Sequence, residues 1–198
     1  MDAACVKQSL LNQIQDLSEH PELYCRNPGR DFTRKRKLPF CTLIHFILNM
    51  HGGSLTNEVL DYFCCEGSNV SPSAVVQMRD KLKAGVFKDL LIGFNSRMEE
   101  ITPTRTENGL RILAVDGTEI QTPTDPDDAD SYYPGTNGQK PYNMIHLTAL
   151  YDLLQRTYLD VVVQKSKNQH ERKALIQMIE ESPIQKSLLK LENCSVPK

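Results

Sequence analysis

The sequence lacks any apolar run long enough to cross a membrane, and its N-terminus, MDAACVKQSL, has none of the hydrophobic stretch of a secretory leader. The longest candidate, residues 38–50, is interrupted by Thr42, His45 and Asn49 and reads as a core helix. A regular cysteine framework is missing as well. The six cysteines (Cys5, Cys25, Cys41, Cys64, Cys65, Cys194) form no C-x-x-C pair, and adjacent Cys64 and Cys65 suit neither an ordinary disulfide nor a zinc knuckle. Reduced thiols in a cytoplasmic protein are expected. There is no excess of one charge either: 23 basic residues against 25 acidic ones leave a net charge of −2. A strongly cationic chain is therefore excluded, and any site for a polyanion must come from local clustering. His45, His51, His146 and His170 show no metal-ligand spacing. The TDPDDAD segment lacks the glycine and terminal glutamate of a calcium loop, so a solvated acidic loop is expected there.

What is present is enough for one sizeable domain or two small ones: 198 residues, 39% hydrophobic and 24% charged. The first hundred read as helical. Val6, Leu10, Leu11, Ile14 and Leu17 recur at the spacing of one helix face over residues 4–17. Pro28-Gly29 marks a turn, residues 38–50 form the second helix, and Gly52-Gly53 ends it. Thr56 is the expected N-cap of a helix over residues 57–65, with Glu58 in its first turn. Ser71-Pro72 starts another, running to about Leu82, by placing a cap before a proline at the first helical position.

From Arg111 the period changes. RILAVDGTEI reads as a buried strand ending in an Asp-Gly turn. NMIHLTALYDL and RTYLDVVVQ read as an antiparallel hairpin turning near residues 153–156. Asn168 is the expected cap of a helix reaching Glu181. The expected class is α+β, with helices over residues 1–100 and an incomplete α/β region over residues 101–198, divided near Ile101 to Gly109.

Two features carry chemistry. Asp116 ends a buried strand with glycine next, a place where ligands approach a sheet and where a carboxylate can hold a divalent ion. The alternative is a plain structural turn. Arg34, Lys35, Arg36 and Lys37, joined by Arg26 and Arg30, form a compact basic block of the kind that contacts phosphates. A solvated charge run is its alternative. Residues 56–65 and 71–82 have the lengths of a helix-turn-helix, with Gln77, Arg79, Lys81 and Lys83 available on the second helix, although an ordinary helical hairpin has the same pattern.

The segments ILAVDGTEIQTPTDPDD, SYYPGTNGQKPYNMIHLTALYDLLQRTYLDVVVQ and NQHERKALIQMIEE resemble the insertion-sequence-four family of DNA transposases. FTRKRKLPFCTLIHFILNMHGGSLTNEVLDYF and SPSAVVQMRDKLKAGVFKDLLIGFN are similar to that family's N-terminal region. The resemblance implies a DNA-binding region over residues 1–100, followed by a ribonuclease H-like catalytic domain of the DDE type. Such a domain performs cut-and-paste transposition with three metal-binding acids, and Asp116 matches the first. The second, in an Ala-Asp-Arg-Gly-Tyr pattern on a strand after the helix ending near Glu181, and the third, on a later helix, are not found. ESPIQKSLLKLENCSVPK contains no apolar strand ending in Asp, and Glu171 falls on the intervening helix. A truncated, inactive fragment is therefore expected. Mg²⁺ would bind the intact enzyme but not this fragment. The implied partners are double-stranded DNA at terminal inverted repeats and, in the intact enzyme, further copies of the chain on that DNA. A non-catalytic DNA-binding or regulatory module is the alternative.

Overall fold

A computed structural model describes residues 2–34, 37–63, 70–136, 138–181 and 187–191. The chain divides into two compact units, 1–102 and 103–198. Lys35 and Arg36 of the basic block, and the turn expected between the two helices of the helix-turn-helix, lie outside the described residues.

The first unit is helical: α1 (Ala3–Glu19), α2 (Phe40–Leu48), α3 (Leu55–Phe63), α4 (Pro72–Arg79) and α5 (Gly85–Ile101). Its core gathers the apolar stripe of each helix, with Ile14, Leu43, Ile44, Phe46, Val75 and Val86 almost wholly buried. Each large side chain so buried stabilises by about 1.5–3 kcal/mol. Helices α1 and α5 approach closely because residue 93 is glycine: a Cβ there would meet the Gln13 amide at 2.1 Å. Gln13 in turn accepts a hydrogen bond from Arg97 Nε at 2.7 Å.

The expected cap of α4 is present: the Ser71 hydroxyl accepts a hydrogen bond from Ala74 N. Two details differ from expectation. Helix α3 begins two residues earlier, and its cap is Ser54, whose hydroxyl accepts from Asn57 N. Glu58 turns back to accept from His51 N and Gly53 N at 2.7–3.1 Å, closing the Gly52-Gly53 turn. Helix α4 stops at Arg79, so Lys81 and Lys83 are not on it. They belong to a segment that bonds to the chain around Cys25, through Arg26 N to Lys81 O and Lys83 N to Tyr24 O, both 2.8 Å.

The second unit contains β1 (Arg111–Thr122), β2 (Tyr132–Tyr133), β3 (Tyr142–Asp152), β4 (Thr157–Lys165), α6 (Glu171–Glu181) and β5 (Ser187–Leu191). Asn108 and Gly109, both at positive φ, make a tight turn into β1 closed by the Glu107 and Leu110 backbone pair. Strand β3 lies between β1 and β4, antiparallel to both, as expected of the hairpin. Strand β2 pairs with the start of β3. Strand β5 runs parallel to β1 on its far side, reached through α6.

Three expectations are overturned here. There is no turn at Asp116-Gly117, because β1 runs on to Thr122 and pairs with β3 throughout. The segment after α6 does form a strand, and Tyr132–Tyr133 form another, so among the described residues the sheet has five strands rather than three. Helix α6 starts at Glu171, just after His170, whose Nδ1 accepts from Lys173 N, and residues 166–168 form a separate short turn rather than its cap.

One face of the sheet is covered by α6, with Leu113, Val115, Leu150 and Val162 against Ala174 and Met178. Two polar clusters tie the ends. Asp152, fully buried, accepts from Arg111 Nε at 2.8 Å and caps the β3–β4 turn through Leu154 N and Gln155 N. Asn143, also buried, clamps the acidic loop by bonding to Asp125 N, Asp125 O and the Ser131 hydroxyl. That loop is solvated, as expected, with only Asp128 half-buried. Lys165 pairs with Asp128 and, with Ser131, holds its carboxyl below the usual carboxylate range.

Candidate functional site

Each unit holds one candidate, and each is described within its own unit. In the second, Asp116 occupies the first position of β1 beyond the stretch paired with β5, which ends at Val115 opposite Leu191. Alternation along the strand puts Leu113 and Val115 under α6, so Asp116 projects from the opposite face. There it is exposed, opposite Ala149 of β3, which itself faces Val161 of β4. Its Oδ1 accepts from Gly117 N at 2.9 Å. The same face carries Ile120, Tyr158, Val163 and Leu188, exposed by 41–59%.

The reverse side of Gly117 holds a pair that sequence reasoning missed. The His146 ring, 5% exposed, abuts the glycine so closely that a Cβ would meet Nε2 at 2.7 Å and Cε1 at 2.8 Å. Glu171, the first residue of α6, brings Oε1 to 3.6 Å from His146 Nε2. Among the described residues neither ring nitrogen, nor the buried Thr148 hydroxyl, has a hydrogen-bond partner. Glu171, expected on the helix after the third strand, does lie there, in its first turn. It also faces the histidine, on the opposite side of the strand from Asp116. Among the described residues no group of three or more His, Cys, Asp or Glu is arranged to hold a metal ion.

In the first unit, the loop over residues 27–34 and the end of α4 enclose a cleft of about 500 Å³ that Arg30, Arg34 and Lys81 help to line. The loop is held in place. Asp31, buried, accepts from Asn27 N and Nδ2 at 3.0 and 3.1 Å. Phe32 adopts φ +57, rare for a bulky residue, and its ring packs edge-on against Phe40 at 5.4 Å between centroids. Such backbone strain costs on the order of 1–3 kcal/mol and persists where the surroundings over-determine it. Of the other residues singled out for DNA, Lys37, Gln77, Arg79 and Lys83 are exposed. The Gln77 amide bonds to Ser73 on its own helix, and the Lys83 ammonium donates to Leu23 O. No helix among the described residues is long and apolar enough to cross a membrane.

Comparison with known proteins adds one finding. Residues 107–195 match the family of the transposase DDE domain. No curated protein matches the sequence, and no solved structure does.

Proposed function

We propose that the chain is the DNA-binding and first catalytic part of a DDE transposase of the insertion-sequence-four type. The observation that carries this is the position of Asp116 within the matched region. It is an exposed carboxylate on β1, one residue past the end of its pairing with the parallel strand β5. A sheet edge where a parallel partner stops is where α/β sheets open toward ligands. The strand order, with an antiparallel hairpin on one side of β1 and a helix-connected parallel strand on the other, supports a ribonuclease H-like core.

DDE transposase domains use a divalent ion such as Mg²⁺. A small, hard cation is held by several oxygen ligands in near-octahedral geometry, and one carboxylate does not offset its dehydration. Among the described residues no group of three or more His, Cys, Asp or Glu forms around Asp116, so these residues do not complete such a site, and no cleavage step is assigned to them. Asp116 is assigned as one ligand of a set that needs further acids. In the first unit Arg30, Arg34, Lys37, Gln77, Arg79, Lys81 and Lys83, with Lys35 and Arg36 of the same basic block, are assigned to double-stranded DNA at the element's terminal inverted repeats. Their contacts are mainly to phosphates.

The incomplete acid set favours a second reading for residues 1–198 taken alone, a non-catalytic module that occupies the terminal repeats. One pair of measurements separates the two. The chain alone is expected to bind duplex DNA without cutting it in Mg²⁺ or Mn²⁺. Extended with the downstream sequence of an intact transposase, it is expected to cut. Asp116→Asn in the extended protein is expected to abolish cutting and leave DNA affinity nearly unchanged. Normal cutting by Asp116→Asn would remove Asp116 from the chemistry. Failure of the extended wild type to cut would leave the binding module as the better reading.

A further inference from the structure

The cleft of the first unit carries more than a basic surface does. Arg30, Arg34 and Lys81 stand around one concavity, and among the described residues none of the three head groups is in an ion pair. The one acid of the lining, Asp31, is already engaged by Asn27. The Lys81 ammonium rests 3.6 Å from Met78 Sδ, which holds it over an apolar floor formed with buried Leu38. The cleft is preorganised, because the paired segments around Cys25 and Leu82 and the strained backbone of Phe32 fix the loop before any ligand arrives.

Three cations against the single carboxylate of Asp31 leave the concavity net positive, which matches a group with several anionic oxygens, and phosphate is such a group. A bare phosphate leaves most of a space this size unfilled and touches none of the floor, since clefts of about 300–1,000 Å³ are the size class of whole small-molecule ligands. Exposed Lys37, Arg79 and Lys83 lie close by in the chain and outnumber exposed Asp80 there, an excess of basic charge that suits a polymer continuing past the cleft rather than an isolated molecule. We propose that the cleft seats one nucleotide unit of the bound DNA strand. Its phosphate lies among Arg30, Arg34 and Lys81, and its sugar or base lies over Leu38 and Met78. The proposal rests on the DNA-binding reading of this unit and adds a specific seat to it.

The decisive quantity is the salt dependence of duplex binding by the full chain, measured by fluorescence anisotropy. Each phosphate contact contributes about 0.9 to the slope of log affinity against log salt. If the three cations share one phosphate, the R30Q/R34Q/K81Q variant loses about 0.9 from that slope, with at least a tenfold loss of affinity. If they lie along the backbone on three separate phosphates, the loss is near 2.7, and the proposal is overturned. It is equally overturned if affinity and slope do not change. The three side chains belong to no core cluster, and a thermal melt of the variant checks that it folds. A second measurement tests the floor. A deoxynucleoside 5′-monophosphate is expected to shift the Met78 methyl resonance of the wild-type chain, whereas inorganic phosphate at equal concentration shifts it far less. Equal responses, or none to the nucleotide, overturn the seating of sugar or base. If wild type binds DNA and the triple variant binds identically, only the cleft proposal fails. If wild type binds no duplex at all, the DNA-binding reading fails with it.

Discussion

Replacing Gly117 with alanine tests whether the strand beside Asp116 is shaped by the histidine behind it. The added methyl would lie 2.7 and 2.8 Å from Nε2 and Cε1 of His146 and 3.0 Å from the Glu171 carboxylate. Glu171 is exposed and flexible and can move aside, but the His146 ring is buried under α6 and cannot leave without opening the packing. Forcing one methyl into a filled site costs about 1–3 kcal/mol. Against this stands a gain of about 0.5–1 kcal/mol, because alanine loses less backbone entropy than glycine in a strand. A net loss of about 1–2 kcal/mol is therefore expected. In a His146→Ala background the obstruction is gone, and Gly117→Ala is expected to be neutral or stabilising. The coupling between the two sites, measured as a double-mutant cycle, should exceed ~1 kcal/mol. The chain has no tryptophan, and five of its seven tyrosines (Tyr132, Tyr133, Tyr142, Tyr151, Tyr158) lie in the second unit. Urea unfolding followed by tyrosine fluorescence consequently reports mainly on the sheet. An equal cost of Gly117→Ala in both backgrounds refutes the argument.

Two further outcomes follow from the polar clusters. Asp152→Ala removes one partner of the buried Arg111 guanidinium and the acceptor of the Leu154 and Gln155 turn amides, so a loss of about 2–4 kcal/mol is expected in the same urea assay. A loss under 1 kcal/mol, the range of exposed ion pairs, contradicts that account. In the first unit, backbone N–H groups of His51 and Gly53 hold the Glu58 carboxyl below its ordinary value. A lowered folded-state value contributes stability that is present above the ordinary glutamate range and disappears as pH falls through the lowered value. Glu58→Gln should therefore flatten the acid limb of the stability–pH curve, and parallel curves for the two proteins contradict the assignment.

What was legible in the sequence was local. The stripe of α1 and the Ser71 cap of α4 depend on residues within a turn or two of one another, and both are where they were expected. The continuation of β1 was hidden because TEIQT is polar and Asp-Gly is a strong turn signal. Those residues extend because β3 offers them a backbone partner, which is a non-local cause. Strand β5 was hidden for the same reason: SLLKL takes its place only in register with β1. The candidate sites divide likewise. Asp116 could be singled out, whereas the link between Arg30 and Lys81 depends on the bridge between Cys25 and Leu82, and the meeting of His146 with Glu171 depends on α6 folding back over the sheet.

The parallel pairing of β5 with β1 also sets an order of events during synthesis. Strand β3 and its hairpin partner β4 emerge soon after β1, and the three can pair as they appear. The far edge of β1 must wait for α6 and then for residues 187–191, so at about 5–20 residues per second it stays open for several seconds. During that interval the strand carrying Asp116 presents unpaired backbone N–H and C=O groups to whatever else the ribosome or its neighbours display. The late strand closes that edge, and the nascent chain is most exposed to mispairing just before it arrives.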